Sequence, residues 1–122
     1  MVTQMSNLLH ICSQRDWAQA QQRGEHRPDS LQAVGFVHLS PPAQVHLPAN
    51  RLYAGRMDLV LLHVDPSRLE SPLRWEPGEA LDPAGMVFPH LYGPLPVGAV
   101  VAVTDYRPGP DGRFDPAQVS PT

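Results

Sequence analysis

Apolar positions fall into short runs separated by turn residues, and the spacing inside each run predicts its element. Leu8–Cys12 (LLHIC) reads as a first strand with His10 inside it. Ser13 then opens a helix, because its hydroxyl can accept a backbone N–H and Asp16 suits the positive N-terminal end. Trp17, Ala20 and Gln21 form one face of that helix, and Gly24 ends it. Residues 25–34 (EHRPDSLQAV), with Pro28 opposing regular helix, read as a loop with one short turn. In the strand Phe36–Ser40 (FVHLS), alternation puts Phe36, His38 and Ser40 on one face, Val37 and Leu39 on the other. Ser40-Pro41 reads as the start of a second helix, with Ser40 as cap and Pro41 at the first position. Its stripe is Val45, Ala49, Leu52 and Tyr53; Pro48 should kink it or mark its edge, and Gly55 stops it.

The second half reads mainly as β. Asp58–Val64 (DLVLLHV) is the strongest strand, apolar enough for burial on both faces. Leu73–Glu76 (LRWE) alternates Leu73 and Trp75 against Arg74 and Glu76. Residues 77–87 read as a loop, Phe88–Leu95 (FPHLYGPL) as a constrained extended segment, and Ala99–Val103 as the last strand. The order predicts an α+β domain over residues 8–106: a mainly β half with two helices beside it. Residues 1–7 are expected as an N-terminal extension. From Arg107 onward Pro, Gly and Asp dominate, so residues 107–122 are expected as a flexible tail.

Composition narrows the function classes. At 122 residues and 42% apolar content one core can form, with no room for a second domain. Net charge is −3 and the nine cationic residues, all Arg, are scattered, so no basic face for nucleic acid is expected. The longest apolar run is far short of a membrane span, and the N-terminus lacks the pattern of a signal peptide; a cytoplasmic protein is expected. Cys12 stands alone, which excludes an intrachain disulfide and reads as a small buried hydrophobe. Phosphate loops, a serine-hydrolase elbow and a His-Glu-x-x-His motif are absent.

Four strands each carry a chemically useful side chain among apolar neighbours: LLHIC, FVHLS, LRWE and FPHLYG. A strand histidine ordinarily donates a ring N–H to a backbone carbonyl. Several such groups need partners at once, and one shared cleft would supply them. Glu76 and His90 are the candidate catalytic pair, with the apolar neighbours of Glu76 expected to raise its pKa toward general-base duty. His10, His38, Ser40, Tyr92 and Arg74 are the candidate ligand-binding residues, Ser40 being also explained by capping alone and Arg74 by surface ion pairing. His26, His46 and His63 are set aside as a loop residue, an outer helix residue and a packing residue.

The blocks from Leu9 to Trp17, Gly35–Ser40, Asn50–Arg56, Asp58–Asp65, Arg74–Glu76 and Phe88–Leu95, in this order and spacing, resemble the bacterial domain-of-unknown-function family 952. The resemblance covers residues 8 to 104. It implies a fold similar to the ADP-ribosyltransferase superfamily, a bent, split β-structure around a nicotinamide-dinucleotide cleft, with NAD as a substrate. By that likeness His10 would hold a ribose, His38 and Ser40 would flank the ring, and Glu76 or His90 would orient ribose or nucleophile. The usual His-Tyr-Glu or Arg-Ser-Glu order is not clearly present. Three readings stay open: an NAD-using transferase, a small-molecule binding module without turnover, and a metal site of His10, His38, His90 and Glu76.

Overall fold

The longest apolar run becomes the centre of a sheet. The computed structural model describes residues 7–78 and 85–117. In it β4 (Leu59–Val64) lies between β1 (Leu8–Ser13) and β8 (Val100–Tyr106), all antiparallel. A strand paired on both edges can be apolar on both faces. Accordingly Val60, Leu62 and Val64 enter one core cluster, while Leu59 and Leu61 enter another. His10 lies in register with Leu62, on the face of β1 that carries Leu8 and Cys12.

A second sheet has the order β3 (Val37–His38), β6 (Val87–Leu91), β5 (Leu73–Pro77), and a short pair joins β2 (Glu25–His26) to β7 (Leu95–Pro96). The two three-stranded sheets meet where Leu9 and Ser40 exchange backbone hydrogen bonds of 2.8 Å in both directions. Val37, Leu39 and Leu91 of the second sheet join Leu62 and Val64 in the first cluster. The alternation expected for FVHLS is therefore present, with Val37 and Leu39 buried and His38 on the opposite, open face.

Three helices occur among the described residues, one more than expected. The first, α1 (Gln14–Arg23), starts and stops as its sequence predicts: Ser13 Oγ accepts the Asp16 N–H at 3.0 Å and Gly24 turns with φ 85°. The expected loop at 25–34 instead holds β2 and α2 (Asp29–Val34). Pro28 precedes α2 rather than interrupting it, so its missing N–H removes no helical bond. The third helix, α3 (His46–Tyr53), begins beyond Ser40-Pro41, with Val45 at its N-cap. Pro48 is its third residue, where an N–H has no intrahelical partner. Ser40 thus caps nothing and serves as the bridge residue between sheets.

The C-terminal segment also departs from expectation. As far as Ala117 it is held against the core rather than free: Phe114 is buried beside Tyr106, and the Asn50 side chain bonds its N–H (2.7 Å) and its C=O (3.0 Å). The side-chain amide of Asn50 satisfies the backbone groups that a strand partner would otherwise take, so burial of the ring goes uncompromised. That burial is worth about 2 kcal/mol. Most of the expected 77–87 loop, nearly all of the N-terminal extension and residues 118–122 lie outside the described residues. Among those described, no helix is long and apolar enough to cross a membrane.

Candidate functional site

A cavity of about 500 Å³ opens along β1, β2 and α3, within the size range of small-molecule sites. His10, His26, His38 and Ser40 lie in its wall, together with Arg23, Arg27, Arg51 and Arg56. Arg27 pairs with Glu25, and Arg56 makes a two-pronged contact with Asp58 at 2.9 and 2.6 Å. A smaller cavity of about 100 Å³ is lined by Phe36, Phe88 and His90. The two share His38, Ser40, Pro48 and Arg51, and are read together as one cleft with a wide part, whose wall also holds Asp16, Glu25 and Asp29, and a narrow aromatic part.

The wide part is built on a pair of histidines. His10, central in β1, is fully enclosed, and its Nδ1 lies 2.7 Å from the carbonyl oxygen of His38. A carbonyl only accepts, so Nδ1 carries the proton and donates. Burial, then the neighbouring His26, pushes the His10 pKa down to about 3, so the ring is neutral and its Nε2 is an acceptor. His26 Nε2, 3.0 Å away, therefore donates to it. Burial also lowers the pKa of His26, with Asp16 opposing.

A cluster on one face of the second sheet adjoins the narrow part through Phe36 and His90. In register, His38 faces His90 and His90 faces Arg74. Glu76 Oε1 accepts from the Tyr92 hydroxyl at 2.6 Å and from His90 Nδ1 at 2.9 Å. Phe36 stacks on His90, with ring centroids 3.9 Å apart and planes 15° from parallel. The Arg74 guanidinium lies 5.1 Å from the Tyr92 ring centre. The two donors hold the Glu76 carboxyl below its usual range, Tyr92 first and His90 second. This corrects the expectation of a raised value: the flanking Trp75 is 52% exposed and supplies no apolar enclosure, while the donors favour the charged form. Glu76 is an ionised carboxylate at neutral pH.

Of the seven sequence-derived candidates, His10, His38, Ser40 and His90 line this cleft, and Glu76, Tyr92 and Arg74 line neither part of it. Glu76, His90, Tyr92 and Arg74 form the cluster on the second sheet. His10, His38 and Ser40 line the wide cavity. His26, set aside as a loop residue, is 6% exposed and bonded to His10. Its clue was the Gly24 stop, which returns the chain beside β1 after a helix of ten residues. His46 is half-buried, with an Nδ1 that lacks a partner, and His63 bonds Thr104 Oγ1 at 2.9 Å on the first sheet. Cys12 is buried and its thiol pKa is pushed up to about 12 by desolvation, so a reactive thiolate is disfavoured. Among the described residues no three His, Cys, Asp or Glu side chains gather as metal ligands, and both ring nitrogens of His10 are already engaged.

Comparison with known proteins places this architecture. The chain is similar to protein CC0527 from Caulobacter crescentus, whose crystal structure shares 32% identity and a TM-score of 0.77 over 90% of this chain and 94% of that one. The solution structure of the same protein gives 33% identity and a TM-score of 0.74, over 90% and 92%. Among curated proteins none matches. A family model described as "Protein of unknown function (DUF952)" matches residues 11–103, a span that contains His26, His38 and His90 and begins one residue after His10, and the chain belongs to that family.

Proposed function

We propose that the cleft binds an ADP-ribose-containing nucleotide, NAD foremost, in a protein built on the plan of the ADP-ribosyltransferases. One observation carries this reading: a cavity of about 500 Å³ with four arginines in its wall, beside Asp16, Glu25 and Asp29, shares four lining residues with an aromatic one of about 100 Å³. An extended molecule with a diphosphate at its middle and a flat ring at its end has that profile. Arginine is suited to phosphate because its planar fork donates two parallel bonds. In a transfer reaction the C1′–N bond of the nicotinamide riboside would break, its electron pair leaving with nicotinamide. An acceptor lone pair would form the new bond at C1′, and the acceptor's proton would pass to a base. The ionised Glu76, held by Tyr92 and His90, is suited to stabilise the positive charge developing on the ribose.

A specific observation supports a second reading. Glu76 lines neither cavity and meets the smaller one only through His90, which favours a module that binds without turnover. Thermal-shift titration tests the shared premise. NAD or ADP-ribose at about 100 times its dissociation constant should stabilise the chain by roughly 2.7 kcal/mol, a shift of several degrees. No shift with either compound would overturn both readings. Release of nicotinamide that stops in Glu76→Gln, with binding retained, selects the transferase.

A further inference from the structure

The hydrogen-bond directions fixed above leave one ring nitrogen unspent. His10 donates from Nδ1 to a carbonyl and accepts at Nε2, so it has nothing left to offer a ligand. His26 uses Nε2–H on His10, and its Nδ1 has no hydrogen bond among the described residues. That nitrogen is not sealed in protein: of the buried side-chain polar atoms, His46 Nδ1 is the one without a partner. Since the residue is 94% enclosed and lines the wide cavity, Nδ1 opens onto that cavity. A neutral imidazole nitrogen without hydrogen is an acceptor only. It fits a group that donates, such as a sugar hydroxyl, and offers nothing to a phosphate oxygen.

We infer that His26, rather than His10, is the histidine a ligand meets in the wide cavity, and that its Nδ1 accepts a hydrogen bond from a ribose hydroxyl. This rests on the nucleotide reading above. His10 is then a positioning residue: anchored on the His38 carbonyl, it receives the His26 N–H and so dictates which His26 nitrogen is bare. The arrangement departs from the one the family resemblance implies, in which the strand histidine itself holds the sugar.

Nitrogen-resolved NMR of the histidine rings in the full chain tests both parts. In the free protein His10 should be the Nδ1–H form and His26 the Nε2–H form. Titration with ADP-ribose should move the His26 Nδ1 resonance saturably and leave His10 Nδ1 in place. His26→Ala should weaken ADP-ribose binding about tenfold, the size of one good hydrogen bond. His26→Gln should recover much of the loss, since its amide can donate to His10 and present its carbonyl oxygen to the cavity. If His26→Ala does not fold, the wild-type spectra decide alone. An Nδ1–H form of His26, or ADP-ribose binding with an unmoved His26 Nδ1, overturns the inference and leaves the nucleotide reading standing. Failure of ADP-ribose to bind the wild-type chain overturns that reading and the sugar assignment together, whatever the tautomers of the free protein.

Discussion

The two histidine pairs of the cleft use the same side chain in opposite ways. His10 and His26 are both neutral rings, 3.0 Å apart and shielded from water. His90 instead donates to an ionised carboxylate whose side chain is 34% exposed. In the first pair burial removes charge, and a backbone carbonyl then fixes every proton by elimination. In the second, water and two donors keep the charge on Glu76. A histidine on a strand is therefore a neutral relay or the partner of an ion according to what lies beyond its ring, and the two pairs should respond differently to disruption.

Removing His10 should have the largest effect. His10→Ala leaves a cavity and removes the donor to the His38 carbonyl and the acceptor of the His26 N–H, so about 3 kcal/mol of unfolding free energy should be lost. Urea denaturation measures it; a loss no greater than that of Glu76→Gln, which lies at the surface, would show that the relay is not enclosed. Acid gives the next effect and separates the pairs by pH. The folded-state pKa of His10 is about 3 against an ordinary 6.5, so between these values the unfolded chain binds more protons and stability falls as pH falls. The slope is about 1.4 kcal/mol per pH unit for each such histidine. Glu76, with a lowered pKa, keeps its contribution above the usual carboxyl value of 4.5 and loses it below. Denaturation between pH 6.5 and 4.5 thus reports on the buried histidines, and His10→Asn should flatten it.

Gly93 supports the exposed pair. A Cβ there would lie 2.5 Å from the Ser71 Cβ, and the adjacent Tyr92 N–H is tied to the Pro72 carbonyl at 2.8 Å. Gly93→Ala should cost about 2 kcal/mol through overpacking. It should also weaken the Tyr92 grip on Glu76, read as a phenol that titrates at lower pH than in wild type, since that hydrogen bond raises the Tyr92 pKa. An unchanged phenol titration would mean that Tyr92 is held by other contacts.

Much of this was legible in the sequence wherever one side chain decides its own neighbourhood. Ser13 and Gly24 bound α1 as expected, the DLVLLHV run is the central strand, and alternation in FVHLS correctly set His38 opposite Val37 and Leu39. What escaped depends on pairing across the chain. His26 looked like a loop residue because its strand is two residues long and exists only through Leu95 and Pro96. The helix start at Ser40-Pro41 was plausible chemistry, yet the Leu9 backbone competes for Ser40 and wins. Phe114 sat in a Pro/Gly-rich stretch whose order comes from Asn50, 64 residues away. The low pKa of Glu76 likewise came from Tyr92, 16 residues on, rather than from its flanking neighbours.

The smallest effect probes how separable the pairs are. Phe36 stacks on His90 and stands 4.8 Å from His38, whose carbonyl holds His10, so it is the side chain closest to linking the two. Phe36→Leu should cost only about 1 kcal/mol, the size of one aromatic contact. The in-plane ring protons of His90 lie over the face of the stacked phenyl and are shielded by it, so their NMR signals should move downfield when the phenyl goes. The link from His38 to His10 runs through the backbone, which a change of side chain at Phe36 barely strains. His10 Nδ1–H should therefore keep its position while His90 moves. If both move together, the cleft is a single coupled network, and ligand effects at His26 and at Glu76 would have to be read as one event.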